Sequence, residues 1–418
     1  MKIATLALWC TCDCVAMAQV HPLAQLIETA RQGPAAPGLP DLITKTLSPK
    51  GGVAVWGQDY MFVTPSSSPA SVSIDQQAPV PMVQVGNSGL WMKLVKMRVG
   101  VTHAYEYFAD GKSLGRRLDI SGYNPDSYPK PGVPKGKLSE KHTITSKIYN
   151  GMKADFWYYA SPGVDPSTPS AMMVWQDGQG LIHGDLSKLR LFTVTENLVA
   201  EKLIPPMVHV LIAPGFSTDN KPMRSIEYDT VSDRYDRFLL EEVLPEVEKA
   251  YKLRQDGYSR GIGGESSGGI CSLNAAWYMP DKFSRVHSTI GSYTSIQWHP
   301  DEKLDGGNLY PFMVRKLPKR NIRIWMSDGA DDLENTHGSW PLQNIQLANS
   351  LKMREYDFHF RFGLATHDSA QAGIDLPESL AWLWRDYDPN RTSQDFTMDP
   401  AEKDKPYYRV TISNRDSW

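Results

Sequence analysis

Gly261-Ile262-Gly263-Gly264-Glu265-Ser266-Ser267-Gly268-Gly269-Ile270-Cys271-Ser272-Leu273-Asn274-Ala275-Ala276-Trp277 is the stretch on which the reading of this chain turns. A short apolar strand (Gly261 to Gly264) runs into Gly264-Glu265-Ser266-Ser267-Gly268, a Gly-x-Ser-x-Gly turn, and a helix follows from Gly268 to Tyr278. A serine exposed on a sharp strand-to-helix turn sits in strained backbone, so it needs small neighbours on both sides. This frame predicts Ser266 as a nucleophile, with the backbone N–H of Ser267 pointing at an oxyanion. The plain alternative is a Gly/Ser turn in which Ser267 is an ordinary helix N-cap.

Outward from this turn the pattern alternates. Strands are predicted at Ala154 to Tyr159, Ala171 to Trp175, Val208 to Ile212, Val286 to Ile290, Ile322 to Met326 and Tyr356 to Phe362. Helices are predicted at Arg234 to Tyr251, Leu342 to Lys352 and Pro377 to Asp386. Apolar strands alternating with amphipathic helices predict a mostly parallel, doubly wound α/β sheet over residues 143–388.

Hydrolases with this turn carry their triad in the chain order Ser, acid, His, each after a later strand. The acid then falls in Ser327-Asp328-Gly329-Ala330-Asp331-Asp332-Leu333-Glu334, where Asp332 ends a Gly-x-x-Asp and is favoured. Asp331 competes with it, and Asp328 could brace the turn. The base falls after the last strand, at His367. His359 alternates within that strand and is read as structural, and His337 comes too early, although it could line the site. His367 would take the Ser266 proton while Asp332 holds the imidazole. The loop Gln176-Asp177-Gly178-Gln179-Gly180 should supply the second oxyanion donor, for which the Gln179 N–H is the candidate. Asp177 is read as a substrate contact or a simple turn residue.

The chain has 418 residues, so two to three domains are expected. Lys+Arg 44 against Asp+Glu 47, a net charge of −3, with no basic run, lacks the footprint of a nucleic-acid binder. Beyond the N-terminus no apolar run approaches the roughly 20 residues of a membrane span, which predicts a soluble globular protein with no membrane partner. Residues 1–18, ending in Ala16-Met17-Ala18, have the layout of a secretory signal peptide, although Asp13 opposes insertion. That predicts a secreted or periplasmic protein beginning at Gln19. Cys10, Cys12 and Cys14 lie in this leader, leaving Cys271 without an intramolecular disulfide partner. No metal-ligand spacing, phosphate loop or dinucleotide fingerprint is present, so neither metal nor cofactor is expected.

Residues 19–45 read as a lead-in with a short helix at His21 to Arg31. Residues 46–121 are rich in short aromatic and β-branched segments separated by turns, which predicts an all-β sandwich. Trp56, Tyr60 and Trp91 could stack on a glycan there, but sandwich core is the simpler reading. Residues 122–142 open with four prolines and three glycines between Gly122 and Gly136 and read as a linker or wrap. Residues 389–418 form a polar tail.

Gly264 to Gly269, Arg224-x-x-Glu227-Tyr228-Asp229, Glu241 to Pro245, the Gly-x-x-Asp ending at Asp332, His337-Gly338-Ser339-Trp340 and the His367 loop together resemble the esterase D and enterochelin-esterase-like hydrolases. Feruloyl and acetylxylan esterases of carbohydrate esterase family one belong to the same group. The resemblance spans roughly residues 145–387. It implies an α/β-hydrolase fold, a Ser266/Asp332/His367 triad, ester hydrolysis and no cofactor. The chain departs from the family at the oxyanion loop, which has Asp177-Gly178 in place of His-Gly. The 50–120 region resembles, more weakly, the immunoglobulin-like, glycogen-binding-type module that precedes this domain in relatives.

These readings converge on an exported serine carboxylesterase acting on a small-molecule or polysaccharide ester, with a possible glycan contact by the β module. The favoured substrate is a feruloyl or acetyl decoration of plant cell-wall polysaccharide. Alternatives are a siderophore esterase, an acyltransferase to sugar, and a non-catalytic carbohydrate-binding protein. Trp298 and His299, with the Asp305-Gly306-Gly307 loop, are placed where relatives shape the pocket, so Trp298 is a candidate substrate contact.

Overall fold

The structure is a computed structural model that describes residues 21–299 and 306–405. The predicted leader, with Cys10, Cys12 and Cys14, lies outside the described residues, as do Asp305 and the end of the tail. Contacts divide the chain into two compact units: one runs through Met97 and includes Tyr105–Arg117, the other takes Arg98–Ala104 and everything from Leu118 onward.

In the first unit, His21 caps the helix Pro22–Arg31 through its ring nitrogen, and a second helix runs Leu39–Thr46. Leu23, Leu26, Ile27, Leu39 and Ile43 share a core with Ala54, Met61, Val63 and Met92. The stretch predicted as a lead-in is thus part of this unit's core, because its apolar face has sheet to bury against. Strands Gly52–Trp56, Asp59–Pro65 and Leu90–Lys96 pair antiparallel, and Ala70–Ile74 pairs with Tyr105 to Ala109 in a second antiparallel sheet. The Tyr107 hydroxyl links the two sheets, accepting from Val63 N and donating to Gly52 O. Tyr60 is fully buried, whereas Trp56 stacks on His21 and Trp91 donates to Ser66 O, both half-buried. Tyr60 therefore serves the core and is not available to a ligand.

The second unit is built on a nine-stranded sheet. Its strands are β1 (Lys137–Leu138), β2 (His142–Thr145), β3 (Lys153–Ala160), β4 (Ala171–Gln176), β5 (Met207–Ile212), β6 (Arg260–Glu265), β7 (Arg285–Thr289), β8 (Arg323–Asp331) and β9 (Asp357–Thr366). Their order is β1-β3-β5-β4-β6-β7-β8-β9, with β2 beside β3. From β5 to β9 neighbouring strands are parallel, and β3 runs antiparallel to β5. Met172 and Val174 of β4 enter the core on one face, while Met173 and Trp175 enter the core on the other. Both alternations are apolar because helices cover both faces. Each such fully enclosed side chain contributes roughly 1.5–3 kcal/mol.

Three expectations need correction. The Pro/Gly-rich stretch 122–142 does not stand apart as a linker. Tyr123 is buried and donates to Lys188 O at 2.7 Å, Asn197 donates to Asp126 O and Tyr128 O, and the stretch ends in β1. The described part of the tail, through residue 405, is likewise packed: Phe396 and Glu402 are buried, and Glu402 pairs with His359 Nδ1 at 2.9 Å. The helix predicted from Arg234 to Tyr251 is broken into Arg234–Phe238, a π-turn over Leu239–Val243, and Leu244–Val247. Pro245 lacks an N–H, and a wider turn before it accommodates the missing bond.

The strands that carry the expected acid and base run further than the apolar pattern suggests. β8 and β9 remain paired to Asp331↔Thr366, with an irregularity between Gly329 and Asp331. A Cβ on Gly329 would lie 2.1 Å from Ala365 O. Gly329→Ala should therefore destabilise the protein by about 1–3 kcal/mol, read as a lower urea midpoint at unchanged m-value.

Candidate active site

Ser266 lies between β6 and the helix Ser267–Tyr278 at φ 58°, ψ −121°, a region that non-glycine residues rarely occupy. The surroundings hold it there. Its N–H donates to Thr289 O at 3.0 Å, and its carbonyl accepts from Gly269 N at 2.9 Å and Ser292 N at 3.0 Å. The turn is too crowded for side chains: a Cβ on Gly264 would lie 2.7 Å from the Gly268 carbonyl carbon. Local sequence dictates this geometry, and tertiary hydrogen bonds retain it.

Ser266, His367 and Asp332 form one hydrogen-bonded chain. His367 Nε2 is 2.8 Å from Ser266 Oγ, and His367 Nδ1 is 2.5 Å from Asp332 Oδ1. The Asp332 side chain has no exposed surface, and its Oδ1 also accepts from Leu333 N at 2.5 Å. Asp332 and His367 each stand one residue past the last β8–β9 pair, which is why residues 35 apart in sequence meet. Such a chain can lower the cost of removing the serine proton, pass it through the imidazole, and stabilise the resulting imidazolium. Asp328 accepts from Gly329 N at 2.8 Å, and His359 is stacked on Trp325 away from the serine.

Two residues to which the sequence assigns no role complete this corner. Ser292 Oγ lies 3.2 Å from Ser266 Oγ and accepts from Trp340 Nε1 at 3.1 Å. The Trp340 ring stands edge-on to His367, with centroids 5.7 Å apart. Trp340 belongs to the His337-Gly338-Ser339-Trp340 motif; nothing local marks Ser292, which arrives on the loop after β7.

Ser267 begins the helix after the nucleophile, and its first-turn N–H has no intrahelical acceptor. Gln179 is exposed on a one-turn 3-10 segment, Gly178–Gly180, after β4. Asp177 departs from the substrate-contact reading. Both of its oxygens are taken by Arg224, at 2.9 Å from Nε and 2.8 Å from Nη2, so it anchors the loop. The Arg224-x-x-Glu227-Tyr228-Asp229 motif thereby acquires a physical role. Arg224 holds Asp177, Glu227 accepts from Gly215 N at 2.7 Å, and Asp229 accepts from Ser225 Oγ at 2.8 Å. Trp298 and His337 are exposed, and their loops are tied through Ser295, which accepts from Trp298 N and donates to His337 O.

A cavity of about 330 Å³ lies beside the elbow, lined by Trp175, Gln179, Leu181, Lys188, Glu265 and Ser369 among others. Glu265 accepts from Ser369 Oγ at 2.6 Å, and its other oxygen has no partner. Lys188 is paired with Asp368 at 2.5 Å. Among the described residues no cluster of His, Cys, Asp or Glu could hold a metal ion. No described helix is long and apolar enough to cross a membrane.

The fold and this constellation define a carboxylic ester hydrolase of the α/β-hydrolase class. The chain belongs to the Esterase family, whose profile matches residues 151–383. Among solved structures it is similar to the enterobactin esterase of Shigella flexneri, at 16% identity and a TM-score of 0.56 over 80% of this chain and 96% of that one. It is also similar to the ferric enterobactin esterase of Salmonella typhimurium, at 16% identity and a TM-score of 0.53 over 82% and 98%. The feruloyl esterase module of Clostridium thermocellum aligns at 17% identity and a TM-score of 0.46 over 66% and 98%. No curated protein matches the chain. At these identities the first two structures share its fold.

Burial first, then the charges of Asp368 and Asp177, pushes the Glu265 carboxyl up to about 7 from its ordinary 4.5. The fold thus favours protonated Glu265 more than the unfolded chain does. That stability is fully present below about pH 4.5 and is lost as pH rises to about 7. Urea titrations of wild type and Glu265→Gln across this window should show wild type losing stability relative to the variant as pH rises.

Proposed function

We propose that this protein is an exported serine carboxylesterase that removes feruloyl or acetyl groups from plant cell-wall polysaccharide. The hydrogen-bonded chain from Ser266 through His367 to Asp332, at a strained strand-to-helix turn, carries the reading. Ser266 Oγ attacks the ester carbonyl as His367 Nε2 takes its proton. The oxyanion that forms is met by the Ser267 N–H, with Gln179 N–H as the second donor. His367 returns the proton to the leaving alcohol, and water then repeats the sequence on the acyl-enzyme to release the acid. Asp332 holds the imidazole with Nδ1–H toward the carboxylate throughout. Trp298 and His337, exposed on tied loops, are the proposed contacts for the sugar side of the substrate, and the first unit is the proposed glycan-contacting module.

Export rests on the leader, with cleavage after Ala18 expected to leave Gln19 at the mature N-terminus. A siderophore esterase is the second reading, favoured by the two enterobactin esterases that share the fold. Against it, cations near the nucleophile are already neutralised, Arg224 by Asp177 and Lys188 by Asp368. A polyanionic ferric complex needs unpaired positive charge, and an uncharged polysaccharide ester does not.

Mature protein and its Ser266→Ala variant, assayed on p-nitrophenyl acetate, methyl ferulate, feruloylated arabinoxylan and ferric enterobactin, test both readings. Loss of the nucleophile should lower kcat about 10⁴-fold or more. Turnover of the ferulate or xylan esters that vanishes in the variant supports the proposal. Turnover of enterobactin alone moves the function to iron acquisition.

A further inference from the structure

Two buried carboxyl oxygens at the acid end of the triad are left without partners. Asp332 spends Oδ1 on His367 Nδ1 and Leu333 N, and its Oδ2 has none. Asp328, three residues before the end of β8 and 2% exposed, spends Oδ1 on Gly329 N, and its Oδ2 also has none. The two carboxyl groups stand four positions apart where β8 ends, close enough for Asp332 to act on Asp328. Two carboxylates cannot face one another in a dry site without a proton between them, because each repels the other and leaves lone pairs unsatisfied.

We propose that Asp328 is a positioning residue for the triad, a neutral carboxylic acid whose O–H donates to Asp332 Oδ2 and fixes the carboxylate that orients His367. This rests on the triad reading above and adds a fourth member to it. One shared proton satisfies both orphaned oxygens. It resides on Asp328 because Asp332 faces the imidazole of His367, which favours its carboxylate form, whereas Asp328 meets the backbone N–H of Gly329 and the neutral amide of Asn344. Burial, then the hydrogen bond and charge of Asp332, raise the Asp328 carboxyl well above the usual carboxylate range. The ionisable groups facing it are Asp332 and, through Asp332, His367. From the helix Trp340–Met353 comes the neutral amide of Asn344, which pulls the other way and is itself held by Gly291 O and Trp340 O. The arrangement makes Asp332 rigid without adding a second negative charge, which would oppose its own ionisation and over-stabilise the imidazolium.

Asp328→Asn and Asp328→Leu test this. The amide of Asn can donate to Asp332 Oδ2 and accept from Gly329 N, so it reproduces the neutral acid; Leu can do neither. Asn should retain kcat on p-nitrophenyl acetate within about threefold, the wild-type pH profile of kcat/KM, and the low-field resonance of the His367 Nδ1 proton. Leu should lose kcat by about 10- to 100-fold, the range expected when a buried acceptor is orphaned. Its KM should be little changed, its acidic limb moved to higher pH, and the resonance displaced. The difference infrared spectrum, wild type minus Asn at pH 8, should show the carbonyl stretch of one protonated carboxyl group. That readout does not require the Leu variant to fold or the enzyme to turn over any chosen ester, so failure here is separable from failure of the triad reading. Absence of the protonated-carboxyl band overturns the proposal, as does an Asn variant that loses more than about tenfold in kcat. A folded Leu variant with wild-type kcat and resonance also overturns it.

Discussion

Parallel pairing of β8 with β9 as far as Asp331↔Thr366 is the constraint on which the site depends. Each strand contributes one functional side chain at the first position beyond the pairing, so acid and base need no loop to bring them together. The ladder hydrogen bonds that hold the strands also set the distance from Asp332 to His367. Gly329 lets the two strands come this close, since any side chain there would overlap the Ala365 carbonyl. The sheet spends no conformational entropy on this alignment at the moment of reaction, which is the advantage of building a constellation on rigid elements.

Ser266 is held by a different means. Its backbone is costly, and hydrogen bonds from Gly269 N and Ser292 N to its carbonyl and from its own N–H to Thr289 O retain it. Around it the electrostatics are tightly balanced. Asp177 is tied to Arg224 and Lys188 to Asp368, while Glu227 and Glu265 are each raised to about 7 by burial. Buried acids of this kind stay largely neutral under mildly acidic conditions, which spares the site a cluster of like charges beside a forming oxyanion. The Arg224–Asp177 fork also explains why the loop after β4 can carry an aspartate. Its charge is consumed in holding the loop to the neighbouring motif.

Much of the architecture was legible. Strand and helix alternation after residue 143, the frame around Ser266, and the order Ser, acid, His all follow from periodicity and from what a strained serine requires of its neighbours. Asp332 could be preferred over Asp328 and Asp331 by spacing alone, yet spacing could not say that Asp328 would meet Asp332, because that depends on how two side chains of one strand end are buried. Ser292 carries no local signal: it is one serine among many until the β7 loop folds over the elbow. The 122–142 stretch was misleading for a related reason. Its prolines and glycines do exclude an ordinary ladder, but Tyr123 and Tyr128 supply anchors under Arg190, 3.7 and 4.6 Å from its guanidinium, so the segment wraps one unit and does not link two.

Sequence by itself determined most of the element types, the strand-to-helix turn at Ser266 and the three side chains that meet in a hydrogen-bonded chain. These depend on local sterics, on the period of apolar residues and on the order in which strands enter a doubly wound sheet. Only the tertiary structure decided that β8 and β9 would stay paired to Asp331↔Thr366, that Asp177 would be claimed by Arg224, and that an oxygen of Asp328 and one of Asp332 would both be buried without a partner. Those outcomes depend on register and on burial. Both are set by contacts between residues far apart in the chain, and no local pattern encodes them.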